Sequence, residues 1–165
     1  MVAHETVIKL AGISGKAIID FFLNCDDAQY QEWWPGMHLQ FHTLKRRPDN
    51  VGSVVYMDEY IGKERLRMKG IVLRVIPGKL LLVQLKMLFR LPLRIHIETA
   101  DHGDSTVLTH RIEAGFRGAG RIFDPLLRGL FLNTHAAAMD EHARAEFPKL
   151  RDMLIRKKAA GGGAR

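Results

Sequence analysis

The chain has 165 residues, enough for one domain with its own hydrophobic core, and its 47% apolar and 26% charged content excludes a chain that is disordered throughout. Its single cysteine, Cys25, excludes an intrachain disulfide and a cysteine-based zinc framework, and reads as a buried structural thiol in a cytoplasmic protein. The formal net charge of +7 suits an anionic partner, but the basic residues are scattered and no nucleic-acid motif is present, so nucleic acid is not expected to bind.

The start, "MVAHETVIKL", carries charge before any apolar run develops and does not read as a secretory signal. The stretch "HETVIKL" alternates well enough for a strand. "ISGKAIIDFFLNC" has helical spacing of Ile18, Ile19, Phe21 and Phe22, with Ser14 as the N-cap. "DDAQYQEWW" predicts a second short helix, ended by Pro35-Gly36. Six strand patterns follow: "LQFHTLKRR", "SVVYMDEYIG", "RLRMKGIVLRVI", "KLLLVQLKMLF", "LRIHIETA" and "STVLTHRIEAGF". Gly- and Pro-bearing turns separate them, which implies an antiparallel meander. The apolar run from Leu80 to Ile97 is broken by Lys86, Arg90 and Arg94, so stable membrane insertion is not expected.

Helical periodicity returns at the end. Asp124 can cap, Pro125 suits the first turn, and the pattern runs to about Lys158, with Pro148 as a local defect. The glycines of "GFRGAGRIFDP" lack the flanking signature of a phosphate loop and read as a connection. The expectation is one domain over 1–158 and a mobile Gly/Ala-rich tail over 159–165.

A strand, two short helices, six strands and a long helix, in that order, resemble the START-like helix-grip superfamily. The resemblance implies an α+β fold in which a curved antiparallel seven-stranded sheet wraps around the C-terminal helix. It also implies an apolar cavity for a hydrophobic or aromatic small molecule, without implying a chemistry.

On the last helix, His142 and Glu146 are one turn apart. They fall in a sector with Phe131, His135, Ala138 and Met153, while Asp140, Arg144 and Arg151 point the other way. A carboxylate on a buried stripe needs a neutralising partner. A histidine–glutamate hydrogen bond or a rim salt bridge supplies one, and a shared metal ion supplies another. Arg128 and Lys149 also fall near this sector. In "SVVYMDEYIG", Val55, Met57, Glu59 and Ile61 share one face, which puts Glu59 inside an apolar row; Tyr56, Asp58 and Tyr60 share the other. Trp33 and Trp34 would form an aromatic wall or packed core. By strict alternation His38 joins Gln40 and His42, opposite Met37, Leu39 and Phe41. That objection lapses if the strand begins after His38, and His42 is the fallback ligand.

"WWPGMH", "DEYIG" and "HARAEFPKL" resemble the corresponding stretches of the diacetylphloroglucinol and phloretin hydrolase family. That resemblance implies a zinc ion held by His38, Glu59, His142 and Glu146. The donor set also suits iron(II) or manganese. It implies hydrolytic cleavage of a carbon–carbon bond between an acyl group and a phenolic ring. Such a reaction needs a general acid, for which Glu146 and His110 are the candidates. His110 alternates with Leu108 and Ile112 and reads more readily as a core histidine than as the acid. His135 lies two turns before His142 and joins Trp33, Trp34 and Tyr30 as a pocket candidate, whereas His96 is expected to be solvated. Tyr30, Tyr56 and Tyr60 are possible donors to phenolic oxygens. The competing readings are a carrier or sensor of an apolar molecule and a metal-free cyclase. The oligomeric state stays open, with a homodimer as one option.

Overall fold

A computed structural model of the chain describes residues 2–86, 90–116 and 136–162. Strand β1 (Val2–Ala11) leads into α1 (Gly15–Asn24) and α2 (Asp27–Trp33). Six strands follow: β2 (His38–Lys45), β3 (Val54–Ile61), β4 (Glu64–Ile76), β5 (Leu80–Lys86), β6 (Arg90–His102) and β7 (Ser105–Ala114). The last described element is the helix α3 (Ala136–Gly162).

The strands form one antiparallel sheet in the order β1-β7-β6-β5-β4-β3-β2. Strands β2 to β7 are a meander, and β1 closes onto the last of them, with Val2 opposite Ala114 and Ala11 opposite Ser105. The α1–α2 pair therefore carries the chain from one edge of the sheet to the other. Both helices start as their sequences dictate. Ser14 caps α1 by accepting from the Ala17 amide, and Asp26 and Gln29 form a capping box on α2. The β3–β4 and β6–β7 hairpins have two-residue loops, Gly62-Lys63 and Gly103-Asp104. In each the glycine takes the positive φ that the first central position of a tight hairpin turn requires.

Helix α3 lays Ala143, Phe147, Leu150 and Met153 against the sheet's inner face, all at 1% exposure or less. Their spacing is the apolar stripe of an amphipathic helix. Ile18 and Ile19 of α1, Leu10 and Leu108 complete this core. Pro148 lies inside α3 without ending it, and the carbonyl its missing N–H would have bonded belongs to the exposed Arg144. The helix runs four residues into the Gly/Ala-rich tail, to Gly162. The predicted helix start at Asp124 and Pro125, together with Arg128, Phe131 and His135, lies outside the described residues. Among those residues no helix is long and apolar enough to cross a membrane.

One glycine marks where the sheet's curvature leaves no room. A Cβ on the buried Gly70 would stand 2.5 Å from Val83 Cγ1 and 3.1 Å from Val55 Cγ2. Gly70→Ala is expected to destabilise the fold by about 1–3 kcal/mol, read as a lower urea midpoint. An unchanged midpoint would mean that the two valines yield freely.

Candidate metal centre

The site is assembled from a bulge, a strand and a helix turn. Strand β2 begins at His38, which sits opposite Glu59 of β3; Gln40 then pairs with Asp58, so the register slips between them. The extra residue turns His38 and Phe41 to the same side, and both are buried. Strict alternation placed His38 on the outer face. The bulge reverses that, as bulges do when they re-aim a side chain. His142 and Glu146 reach the same point from α3.

His38 Nε2 lies 3.4 Å from Glu146 Oε2 and 3.8 Å from Glu59 Oε2. His142 Nε2 lies 3.2 Å from Glu146 Oε2 and 3.9 Å from Glu59 Oε2. All four donor atoms fall within 4.8 Å of one another. Zinc bonds of 2.0–2.1 Å set the donors of a tetrahedron about 3.3 Å apart, so the four separations bracket that edge with a slight expansion. His38 is fully buried, and His142 and Glu146 are nearly so. The Nε2 atoms of both histidines are buried without a hydrogen-bond partner of good geometry among the described residues, although carboxylate oxygens surround them. Both atoms are therefore free to serve as ligands to a cation. His38 Nδ1 also lacks such a partner, and nothing in the described residues accounts for it.

The electrostatics without a cation show the same crowding. Burial tends to raise the Glu146 carboxyl, but the two imidazoles outweigh it and hold the group down to about 2. Burial, followed by the Glu146 charge, pushes Glu59 above the usual carboxylate range. Burial works to lower His142, and the two carboxylates more than offset it, leaving its pKa raised. Two carboxylates facing two imidazoles could hold a divalent cation.

Helix α2 supports two of the four groups through one side chain. Tyr30 donates from Oη to Glu59 Oε2 at 2.7 Å and stacks on His38 with ring centroids 4.0 Å apart and 7° between planes. Burial, then the Glu59 and Glu146 charges, keep its phenol well above the ordinary value, so it remains a donor. Trp33 Nε1 donates to the Glu146 carbonyl at 2.7 Å and fixes that turn of α3. Tyr30→Phe is expected to lower metal affinity roughly 10- to 100-fold in a chelator competition, because the carboxylate loses the bond that orients it. Unchanged affinity would show that bond to be idle.

The quartet opens onto a cavity of about 1060 Å³ lined chiefly by apolar side chains of the sheet's inner face and α3. Tyr30, Trp33 and His110 line it. His110 is half-buried, 5.6 Å from the Phe147 ring by centroids, and burial lowers its pKa. Trp34, expected at the pocket, is not among the lining residues: it stacks on His142 at 4.7 Å and carries Lys149 over its ring. His42, the fallback ligand, is remote from the quartet and pairs instead with Asp27 at 2.8 Å. His96 is not solvated. The salt-bridged outer face of the sheet leaves its side chain 11% exposed, 3.2 Å from Glu113. Tyr56 packs against His42 on that same outer face. Cys25 is buried as expected, and burial raises its thiol pKa strongly.

Two features escape sequence reasoning. Asp58, facing away from the quartet, is 2% exposed because Arg65 folds over it with two 2.8 Å hydrogen bonds. The opposite-charge pairing of β3 with β4 signals that contact only once the register is known. Asp140 accepts from Thr6 Oγ1 at 2.6 Å and fastens the described start of α3 to β1; no motif announces it.

No family model matches the chain, and no curated protein matches it in sequence. Solved structures do match. The solution structure of the Aha1 dimer from Colwellia psychrerythraea has a TM-score of 0.61 at 15% identity, over 93% of this chain and 96% of that one. The major latex-like protein 151 of Panax ginseng has a TM-score of 0.55 at 12% identity, over 86% and 98% of the two chains. A START superfamily protein from Mycobacterium smegmatis has a TM-score of 0.54 at 18% identity, over 85% and 95%. At these identities the likeness is one of fold, and by its seven-stranded sheet, two short helices and long C-terminal helix this chain has the START-like helix-grip fold.

Proposed function

We propose that the chain is a metal-dependent hydrolase that cleaves a carbon–carbon bond of an acylated phenolic or related ketone inside its apolar cavity. His38, Glu59, His142 and Glu146 would hold the metal, zinc first and iron(II) or manganese as alternatives. The observation that carries this reading is the convergence of those four donors, three of them buried and Glu59 half-buried, beside a cavity large enough for an aromatic ligand. Bound there, the metal would polarise a ketone oxygen and acidify water.

The remaining roles belong to the chain. The apolar walls exclude bulk water and hold an aryl body. Tyr30 keeps Glu59 oriented. Glu146, with its carboxyl held at about 2, is a poor proton donor and a good ligand. His110, kept neutral by burial, can take the proton released as water adds to the carbonyl and return it to the departing aryl carbon. The balance is ketone plus water to carboxylic acid plus arene.

Acylphloroglucinols and simpler aryl ketones, incubated with metal-loaded protein, should yield the free acid and the deacylated phenol. Lack of turnover together with tight binding of an apolar molecule would sink the hydrolase in favour of a carrier or sensor. That second reading is supported by the cavity and by the likeness to a START superfamily fold.

A further inference from the structure

The polar side chains of the cavity are segregated. The quartet and His110 lie toward one end of β3, where Lys63, Glu64, Arg65 and Arg67 of the β3–β4 hairpin also line the cavity. At its other end a second group lines the same cavity: Thr43, Arg46, Asn50 and Ser53. Between the two, the inner row of β3 is Val55 and Met57, and Phe41, Val72 and Val83 flank it. Thr43 stands opposite Val55, four residues from Glu59 along the strand, or roughly 13 Å at the usual rise.

Arg46 is held but not neutralised. Nη2 donates to the Leu23 carbonyl at 3.0 Å and to Thr43 Oγ1 at 3.4 Å, and Nη1 donates to Asn50 Oδ1 at 3.3 Å. All three acceptors are uncharged, and no carboxylate pairs with Arg46 among the described residues. The side chain is exposed, so the rest of its fork of N–H groups is left to water or to a ligand. Arg65 and Arg67, the other arginines at the cavity, are committed to Asp58. Ser53, 3% exposed, accepts the Arg47 amide at 2.9 Å, and its own O–H remains to donate. Thr43 is half-buried and accepts only from Arg46 among the described residues, so its O–H also remains to donate.

We propose that the cavity takes an amphipathic anion. Its apolar body lies along the inner face of β3, its carbonyl-bearing end meets the quartet, and a carboxylate or phenolate at the far end is bound by Arg46, Thr43 and Ser53. A neutral aryl ketone of the same shape leaves this exposed guanidinium to water; an acidic one pairs with it through charge-assisted hydrogen bonds. The inference names the substrate class of the proposed hydrolase and rests on that reading for the quartet end alone.

Two probes with one aromatic body separate charge from shape: 8-anilinonaphthalene-1-sulfonate and the neutral N-phenyl-1-naphthylamine, titrated by fluorescence at 0.15 M salt. Arg46→Ala is expected to raise the Kd of the sulfonate about tenfold and leave the neutral probe within about twofold. Arg46→Lys should recover most of the sulfonate binding, and decanoate should displace the sulfonate where decanol at equal concentration displaces less. Retained binding of the neutral probe shows that the variant is folded; if it is lost, the Arg46→Lys result and the decanoate competition decide. The proposal is overturned if both probes weaken equally in a folded variant, if neither changes, or if wild type binds only the neutral probe. The His142→Ala/Glu146→Ala variant should keep the preference for the sulfonate. A failed metal site with an intact Arg46 effect would refute the hydrolase and leave an anion carrier.

Discussion

Replacing His142 and Glu146 together by alanine is expected to take the metal content of purified protein from close to one ion per chain to none. The helix supplies half of the donor set, and the 3.2 Å approach of His142 to Glu146 is the shortest of the four histidine–glutamate separations. His38 and Glu59, left on adjacent strands, would offer two donors where a stable site needs four. The double change also removes a buried acid and its imidazole partner together, which is gentler on the fold than stranding either one. Loss of metal is then attributable to loss of ligands. Elemental analysis of protein prepared without added metal decides it, and a full-strength signal in the variant would refute the assigned ligands. The same site predicts a pH dependence. The metal needs His142 neutral, while in the metal-free protein the two carboxylates favour its protonated form and raise its pKa. Affinity should therefore fall as pH drops below that raised value, by about tenfold per pH unit for this one proton. Glu146, down at about 2, stays ionised throughout and adds nothing to the slope, whereas the raised Glu59 steepens it toward acid pH.

Trp33→Ala is expected to cost about 3–5 kcal/mol, among the largest losses available from one side chain here. The indole is 3% exposed and packs edge-on against Phe21, Phe22 and Tyr30. Its N–H also ends on the Glu146 carbonyl. Removal opens a cavity where α1, α2 and α3 meet and frees the ligand-bearing turn. For a chain of this length the loss corresponds to a Tm lowered by roughly 10 °C. Trp33→Phe, which keeps most of the volume and loses the N–H, should cost markedly less. Thermal unfolding of the two variants would overturn this account if they proved equally stable.

Element order was legible because the strands are separated by their own turn chemistry and the two short helices carry their own caps. Ser14, the Gly62 and Gly103 turns and the Ala143-to-Met153 stripe all sit where local pattern places them. Glu59, His142 and Glu146 converge because one period, two or 3.6, holds without interruption from the core to each of them. His38 was ambiguous for the converse reason: a single inserted residue reverses the sense of alternation, and no residue type announces the slip. The bond from Tyr30 to Glu59 and the half-buried setting of His96 depend on pairing between distant segments, which periodicity does not carry. The fallback His42 fails on the same ground, since Asp27 claims it from a neighbouring helix.

The pairing of β1 with β7 fixes the order of events during synthesis. As the nascent chain leaves the ribosome, its first strand must wait roughly a hundred residues for a partner, and the helix bearing two ligands emerges later still. Capture of a cation by the proposed site would thus follow translation and fall on a nearly finished fold, so a bound ion should slow unfolding far more than it speeds folding.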